Sequence, residues 1–146
     1  MIASESEQEF QRFLNKGSFP FDYEKNLMKK RFNRIVEILE GGNPLPYELE
    51  IQPSSICDVS CAHCFGKEYK KLPNKIGEWE INKLSRDIEE FESHNDSKIE
   101  TIKFCGSTGE PLVNRFTAYG IEVFSNQGKK IRLFTNGMGM VRDDYS

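Results

Sequence analysis

No apolar run in the chain approaches the ~20 residues needed to cross a bilayer, so a membrane span is not expected. Nor is there an excess of positive charge. Lys and Arg number 20 against 23 Asp and Glu, a formal net charge of −3. The basic residues are also dispersed, which argues against the strong basic field of a nucleic-acid binder. Their tightest cluster, Lys29-Lys30-Arg31, reads as the solvated face of a helix. The N-terminus, Met1-Ile2-Ala3-Ser4-Glu5-Ser6-Glu7, is acidic and polar, the reverse of a secretory signal, and points to a cytoplasmic chain. There are no internal repeats and no low-complexity tract.

The remainder has a globular composition. Hydrophobic residues make up 37% and aromatic residues 12%, enough to bury a core in a chain of 146 residues. Of the 4 cysteines, three lie between positions 57 and 64. In a reducing compartment such clustering reads as metal ligation or catalysis rather than disulfide bonding.

Hydrophobic spacing divides the chain in two. Residues 1–46 read as a helical segment. Ser4 or Ser6 can cap a first helix carrying Phe10, Phe13 and Leu14, which Gly17 ends. A longer helix runs from about Asp22 to Glu40, with Met28, Phe32, Ile35 and Leu39 in one stripe. Gly41-Gly42 stops it, and Pro44 and Pro46 prevent its return. This segment is expected to pack against the remainder of the chain.

From residue 47 to 146 the pattern changes. Tyr47 to Gln52 alternates as a strand does, Glu78 to Ser93 has helical spacing, and Lys98 to Cys105 reads as a second strand. Asn114 to Asn126 reads as a helix and Ile131 to Thr135 as a third strand. This alternation predicts an α/β fold with a parallel sheet of right-handed βαβ units, whose unusual loops gather at the carboxyl ends of the strands. Trp79 and the phenylalanines are expected in the core, and Cys105 as a small core residue. Glu48, Glu50 and Gln52 face either a polar barrel lumen or an exposed strand edge. His94 suits the negative end of its helix and is given no chemistry.

The cysteines read Cys57-x3-Cys61-x2-Cys64. A [4Fe-4S] core normally takes four ligands, so three thiolates leave one iron with an open position. Structural zinc is usually closed by four ligands, which would require His63 or Cys105 as the fourth. His63 lies between two of the ligands and Cys105 ends another strand, so the iron–sulfur reading is preferred.

The spacing resembles the C-x3-C-x-aromatic-C signature of the radical S-adenosylmethionine (SAM) superfamily, with His63 at the aromatic position and Phe65-Gly66 after Cys64. Gly106-Ser107-Thr108-Gly109-Glu110-Pro111-Leu112 is similar to the family's glycine-rich GGEP-type segment, with one extra residue. Leu133-Phe134-Thr135-Asn136-Gly137 resembles the TNG ending of its third strand. The likeness covers about Tyr47 to Gly137. It implies the N-terminal half of a partial (β/α)6 TIM-like barrel, preceded by the helical segment. It implies Cys57, Cys61 and Cys64 as cluster ligands, and His63, Gly106, Ser107, Gly109, Glu110, Pro111 and Asn136 as SAM-binding residues.

In that family the open iron chelates SAM, and one electron cleaves it to methionine and a 5′-deoxyadenosyl radical that abstracts a substrate hydrogen. The implied partners are an electron donor such as flavodoxin or ferredoxin and a substrate, with a peptide or protein favoured; neither nucleic acid nor membrane is expected. About half the barrel would lie beyond Ser146, starting with a helix after Val141. The piece alone is then expected to be poorly soluble or to need its other half. The competing readings are a non-catalytic zinc or iron–sulfur module and an inactive fragment of such an enzyme.

Overall fold

The structure, a computed structural model, describes residues 5–16, 22–64, 76–107 and 109–141. The chain divides into two compact units, Met1–Asn43 and Pro44–Ser146.

The first unit holds two helices, α1 (Glu5–Lys16) and α2 (Asp22–Leu39). Phe10 of α1 stacks on Phe32 of α2 with ring centroids 3.7 Å apart and planes 3° from parallel. α2 ends as its sequence predicts. Gly41 takes a positive φ of 88°, its N–H donates to Ile38 O, and the Gly42 N–H donates to Glu37 O. Those paired bonds satisfy carbonyls that the last turn leaves open, in the manner of a Schellman motif. Ile35, Ile38 and Leu39 remain exposed. The predicted cap Ser4 and the stop at Gly17 lie outside the described residues.

The second unit is an α/β layer with the order β1 (Glu48–Ile51), α3 (Glu78–Ser93), β2 (Thr101–Phe104), α4 (Thr117–Asn126) and β3 (Lys130–Leu133). The sheet has three parallel strands in the order β1-β2-β3, with Ile51 opposite Phe104 and Phe104 opposite Leu133. Alternate side chains of a strand point to opposite faces. Ile51, Ile102 and Phe104 therefore share one face, where they form a core cluster with Ile81 and Ile88 of α3, Ile99, and Phe124 of α4. Both helices thus cover the same face of the sheet. They also bond to each other: the Tyr119 hydroxyl donates to Asn82 Oδ1 at 2.8 Å, and Gln127 Nε2 donates to the Ser85 hydroxyl at 2.7 Å.

The opposite face is polar. Arg132 of β3 reaches Glu48 of β1 at 2.8 Å, spanning the central strand, and Lys103 meets Glu50 at 2.6 Å. Lys103 and Arg132 also stand 5.0 and 5.3 Å from the Phe134 ring centre. Glu48 and Glu50 are therefore not idle edge charges; they pair with Arg132 and Lys103 on this face.

Some expectations need correction. Trp79 is 66% exposed and Phe91 is 60% exposed, so neither is core. Trp79 precedes the buried Ile81 by two positions, about 200° around a helix, and faces outward. Phe134 is half exposed on the polar face. The strands are shorter than their alternating patterns because neighbouring residues make single ladder-like bonds without continuing the pairing. Cys105 N–H donates to Ile51 O and Phe134 N–H to Phe104 O. α4 starts at Thr117 rather than Asn114, because a 3-10 turn, Pro111–Val113, comes first and Asn114 is used elsewhere. The helix expected after Val141 lies outside the described residues, apart from a 3-10 turn at Met138–Val141.

Candidate metal and cofactor site

Three loops leave the carboxyl ends of the three strands: the cysteine loop after β1, the glycine-rich turn after β2, and Phe134 to Gly137 after β3. Adjacency of the strands makes these loops neighbours, and hydrogen bonds join them.

The first junction is backbone on backbone. Glu110 N–H donates to Ile56 O at 2.9 Å. A Cβ on Gly109 would lie 2.3 Å from Ser54 O, and one on Gly106 would lie 1.9 Å from Gly109 O. Both approaches are closed to any residue with a side chain: Gly109 lets this turn pack on the cysteine loop, and Gly106 lets the turn fold tightly on itself. Asn114, buried, ties the same region from below. Its Nδ2 donates to Pro53 O at 2.7 Å and to Ile76 O at 2.9 Å.

Glu110 makes the second junction. It is 4% exposed, and both carboxylate oxygens face inward. Oε1 accepts from the Thr135 hydroxyl at 2.5 Å and from Leu112 N–H at 3.1 Å, while Oε2 accepts from Asn136 N–H at 2.8 Å. The Glu110 carboxylate thus fastens the turn after β2 to the loop after β3. Asn136 then reaches the cysteine loop, donating from Nδ2 to Asp58 Oδ1 at 2.9 Å.

All four cysteines are free thiols; Cys57 and Cys64 are half-buried, Cys61 is exposed and Cys105 is buried. Cys64 N–H donates to Cys61 O at 3.4 Å, closing a turn that leaves His63 exposed at its outer side. Among the described residues, no three His, Cys, Asp or Glu side chains stand gathered about a common point. The three loop thiols suit an iron–sulfur cluster by their soft donor chemistry and their place on one loop, but they are not preformed as a cage.

The residues expected to meet SAM fall into two sets. His63, Ser107 and Asn136 are exposed, and Gly106 and Gly109 half-buried, at the carboxyl rim of the sheet. Glu110 and Pro111 are buried in the joint beneath it. Ser107 donates to Gln52 Oε1 at 2.9 Å, joining the first two loops once more. Thr108, Phe65 and Gly66 lie outside the described residues. Sequence reasoning passed over Asp58, Thr135 and Asn114 as site residues. A polar residue at a strand's end carries no periodic signal of a partner many positions away.

Cys105 behaves differently from the other thiols. Burial, and then the neighbouring Glu50 carboxylate, push its thiol up from the ordinary 9.0 to about 11. The Glu50 carboxyl is lowered in return, first by the hydrogen bond from Cys105 and then by that from Lys103. The thiolate is the reactive form. A chain with only Cys105 left as a thiol is therefore expected to react with a small disulfide reagent at pH 8 about tenfold more slowly than an unhindered thiol of ordinary pKa, since the thiolate fraction falls about a hundredfold while the more basic thiolate is nearly tenfold more nucleophilic. An equal rate would show that the thiol is not protected.

A cleft of about 410 Å³, lined in part by Glu92, Lys98, Gln127 and Lys129, lies at the amino ends of β2 and β3, away from these loops. Among the described residues, no helix is long and apolar enough to cross a membrane. Compared with protein-family models, with curated proteins and with solved structures, the chain matches none.

Proposed function

We propose that this chain is the first part of a radical SAM enzyme, in which Cys57, Cys61 and Cys64 hold a [4Fe-4S] cluster with one open iron. One observation carries the reading. The three segments that resemble the family's motifs, distant in sequence, are joined at one rim of the sheet through Glu110, Asn136 and Asp58.

A singly wound sheet supports the matching fold, a partial (β/α)6 barrel. Consecutive strands lie side by side with both helices on one face. Continued, such winding curls a sheet toward closure, with the polar face inward and the chemistry at the carboxyl rim. The Glu48–Arg132 and Glu50–Lys103 pairs would then line the lumen.

When bound, the cluster would supply the electron that cleaves SAM, from an external donor such as flavodoxin or ferredoxin. The chain's own residues orient the ligand. Half-buried Gly106 and Gly109 offer backbone groups at the rim, His63 stands within the cysteine turn, and Glu110 holds the joint rigid from below. The favoured substrate class is a peptide or protein, and the site is cytoplasmic.

The test is anaerobic loading with iron and sulfide, then dithionite and SAM, in the chain joined to its downstream sequence. Release of 5′-deoxyadenosine supports the proposal. A protein that binds one zinc, takes up no iron and stays colourless refutes it and favours a metal module without catalysis.

A further inference from the structure

Asp58 directly follows the first cysteine, and the ligand set leaves it without a role. Its Oδ1 accepts from Asn136 Nδ2 at 2.9 Å. The same nitrogen stands 4.0 Å from Cys57 Sγ, the outer limit of an N–H···S contact. An amide nitrogen has two hydrogens, so one can meet the carboxylate while the other faces the sulfur.

Asn136 is an unusually fixed partner. Its backbone N–H is held by the buried Glu110 carboxylate, and its Oδ1 accepts from Met138 N–H at 2.8 Å. Backbone and both side-chain polar atoms are thereby engaged. The side chain is thus held from both ends where the cysteine loop meets it.

We infer that Asp58 and Asn136 form a clasp that sets Cys57 in place before any metal arrives, so that Cys57 is the standing ligand and Cys61 and Cys64 close onto the metal after it. Exposure separates Cys57, half-buried, from Cys61, exposed, but not from the equally half-buried Cys64, so the hydrogen bonds of Asn136 carry the distinction. Asp58 is a positioning residue acting through Asn136, not a ligand. The clasp belongs to the metal-free chain; its service to a cluster rests on the function proposed above.

The test separates those two statements. In the full chain with Cys61, Cys64 and Cys105 changed to serine, reduced and free of metal, the reaction of Cys57 with a thiol reagent is followed at pH 8. Asp58→Ala and Asp58→Asn remove the same charge, but only asparagine keeps an acceptor for the amide. Asp58→Ala is expected to raise the rate several-fold above Asp58→Asn. Asn136→Ala, which leaves the backbone bond to Glu110 intact, is expected to raise it comparably, and the Asp58→Ala/Asn136→Ala pair no further. Equal rates for the two Asp58 variants, or additive effects in the pair, overturn the clasp.

With all cysteines restored and the chain loaded anaerobically, iron loss to a chelator should be faster in Asp58→Ala and restored toward normal in Asp58→Asn. Unchanged loss in Asp58→Ala overturns the role toward the cluster. A native chain that takes up no iron refutes the proposed function instead, while the labelling result still decides the clasp.

Discussion

Changing any one of Cys57, Cys61 or Cys64 to alanine is expected to reduce iron–sulfur loading and 5′-deoxyadenosine release to background, with the fold unharmed. Two thiolates and a methyl group cannot hold a cubane that already has one corner open. The fold should survive because Cys61 is exposed and the other two half-buried, and surface substitutions usually move stability by no more than about 0.5 kcal/mol. Urea unfolding of the metal-free variants should therefore coincide with that of the native chain, while the brown visible absorption of the loaded protein is lost. Cys105→Ala is the control. It stands across the sheet's polar face, bonded to Glu50, and its loss should leave the colour intact. A colourless Cys105→Ala, or a coloured Cys57→Ala, would show that the ligands are wrongly assigned.

Glu110→Ala is expected to destabilise the metal-free chain by about 3–5 kcal/mol, because it strands three donors. Leu112 N–H, Asn136 N–H and the Thr135 hydroxyl all bond to this carboxylate, and a buried donor left unsatisfied costs about 1–3 kcal/mol. For a domain whose total stability is about 5–15 kcal/mol, that is a large share. Glu110→Gln should lose roughly half as much, about 2 kcal/mol, because the amide keeps one carbonyl oxygen but places an NH2 against a backbone N–H. Equilibrium urea unfolding measures both. The comparison also separates two roles for Glu110. A residue that only grips SAM would leave the unfolding midpoint unchanged and weaken SAM binding alone; a residue that fastens two loops lowers the midpoint with no SAM present.

The helices and strands were legible because each has a period. In α3, Ile81, Leu84 and Ile88 recur at three and four, and the helix occupies Glu78–Ser93 as that spacing predicts. Leu49 and Ile51 alternate with Glu48 and Glu50, and the sheet sorts them onto opposite faces. Trp79 was misjudged because hydrophobicity marks a residue without marking its angle on the helix. The strand ends were overextended for a related reason. Thr135 continues an apolar pattern, yet its hydroxyl is drawn to Glu110 across 25 positions.

The candidate site was half legible. Three cysteines in eight residues mark the loop as a candidate, and the glycines after β2 announce a close approach. What Gly109 approaches, the backbone at Ser54, is a tertiary fact. So is the inward turn of Glu110. A carboxylate near a turn reads as solvated or ligand-facing, and only the docking of β3 reveals the donors that bury it.

Asp58 and Asn136 lie 78 positions apart, and this separation has a consequence for biosynthesis. Translation at about 5–20 residues per second puts roughly 4–16 s between the emergence of the two from the ribosome. Until β3 emerges and docks, the nascent cysteine loop waits without its hydrogen bond to Asn136. If the proposed cluster forms, iron delivered after that moment would meet a loop already joined to Asn136.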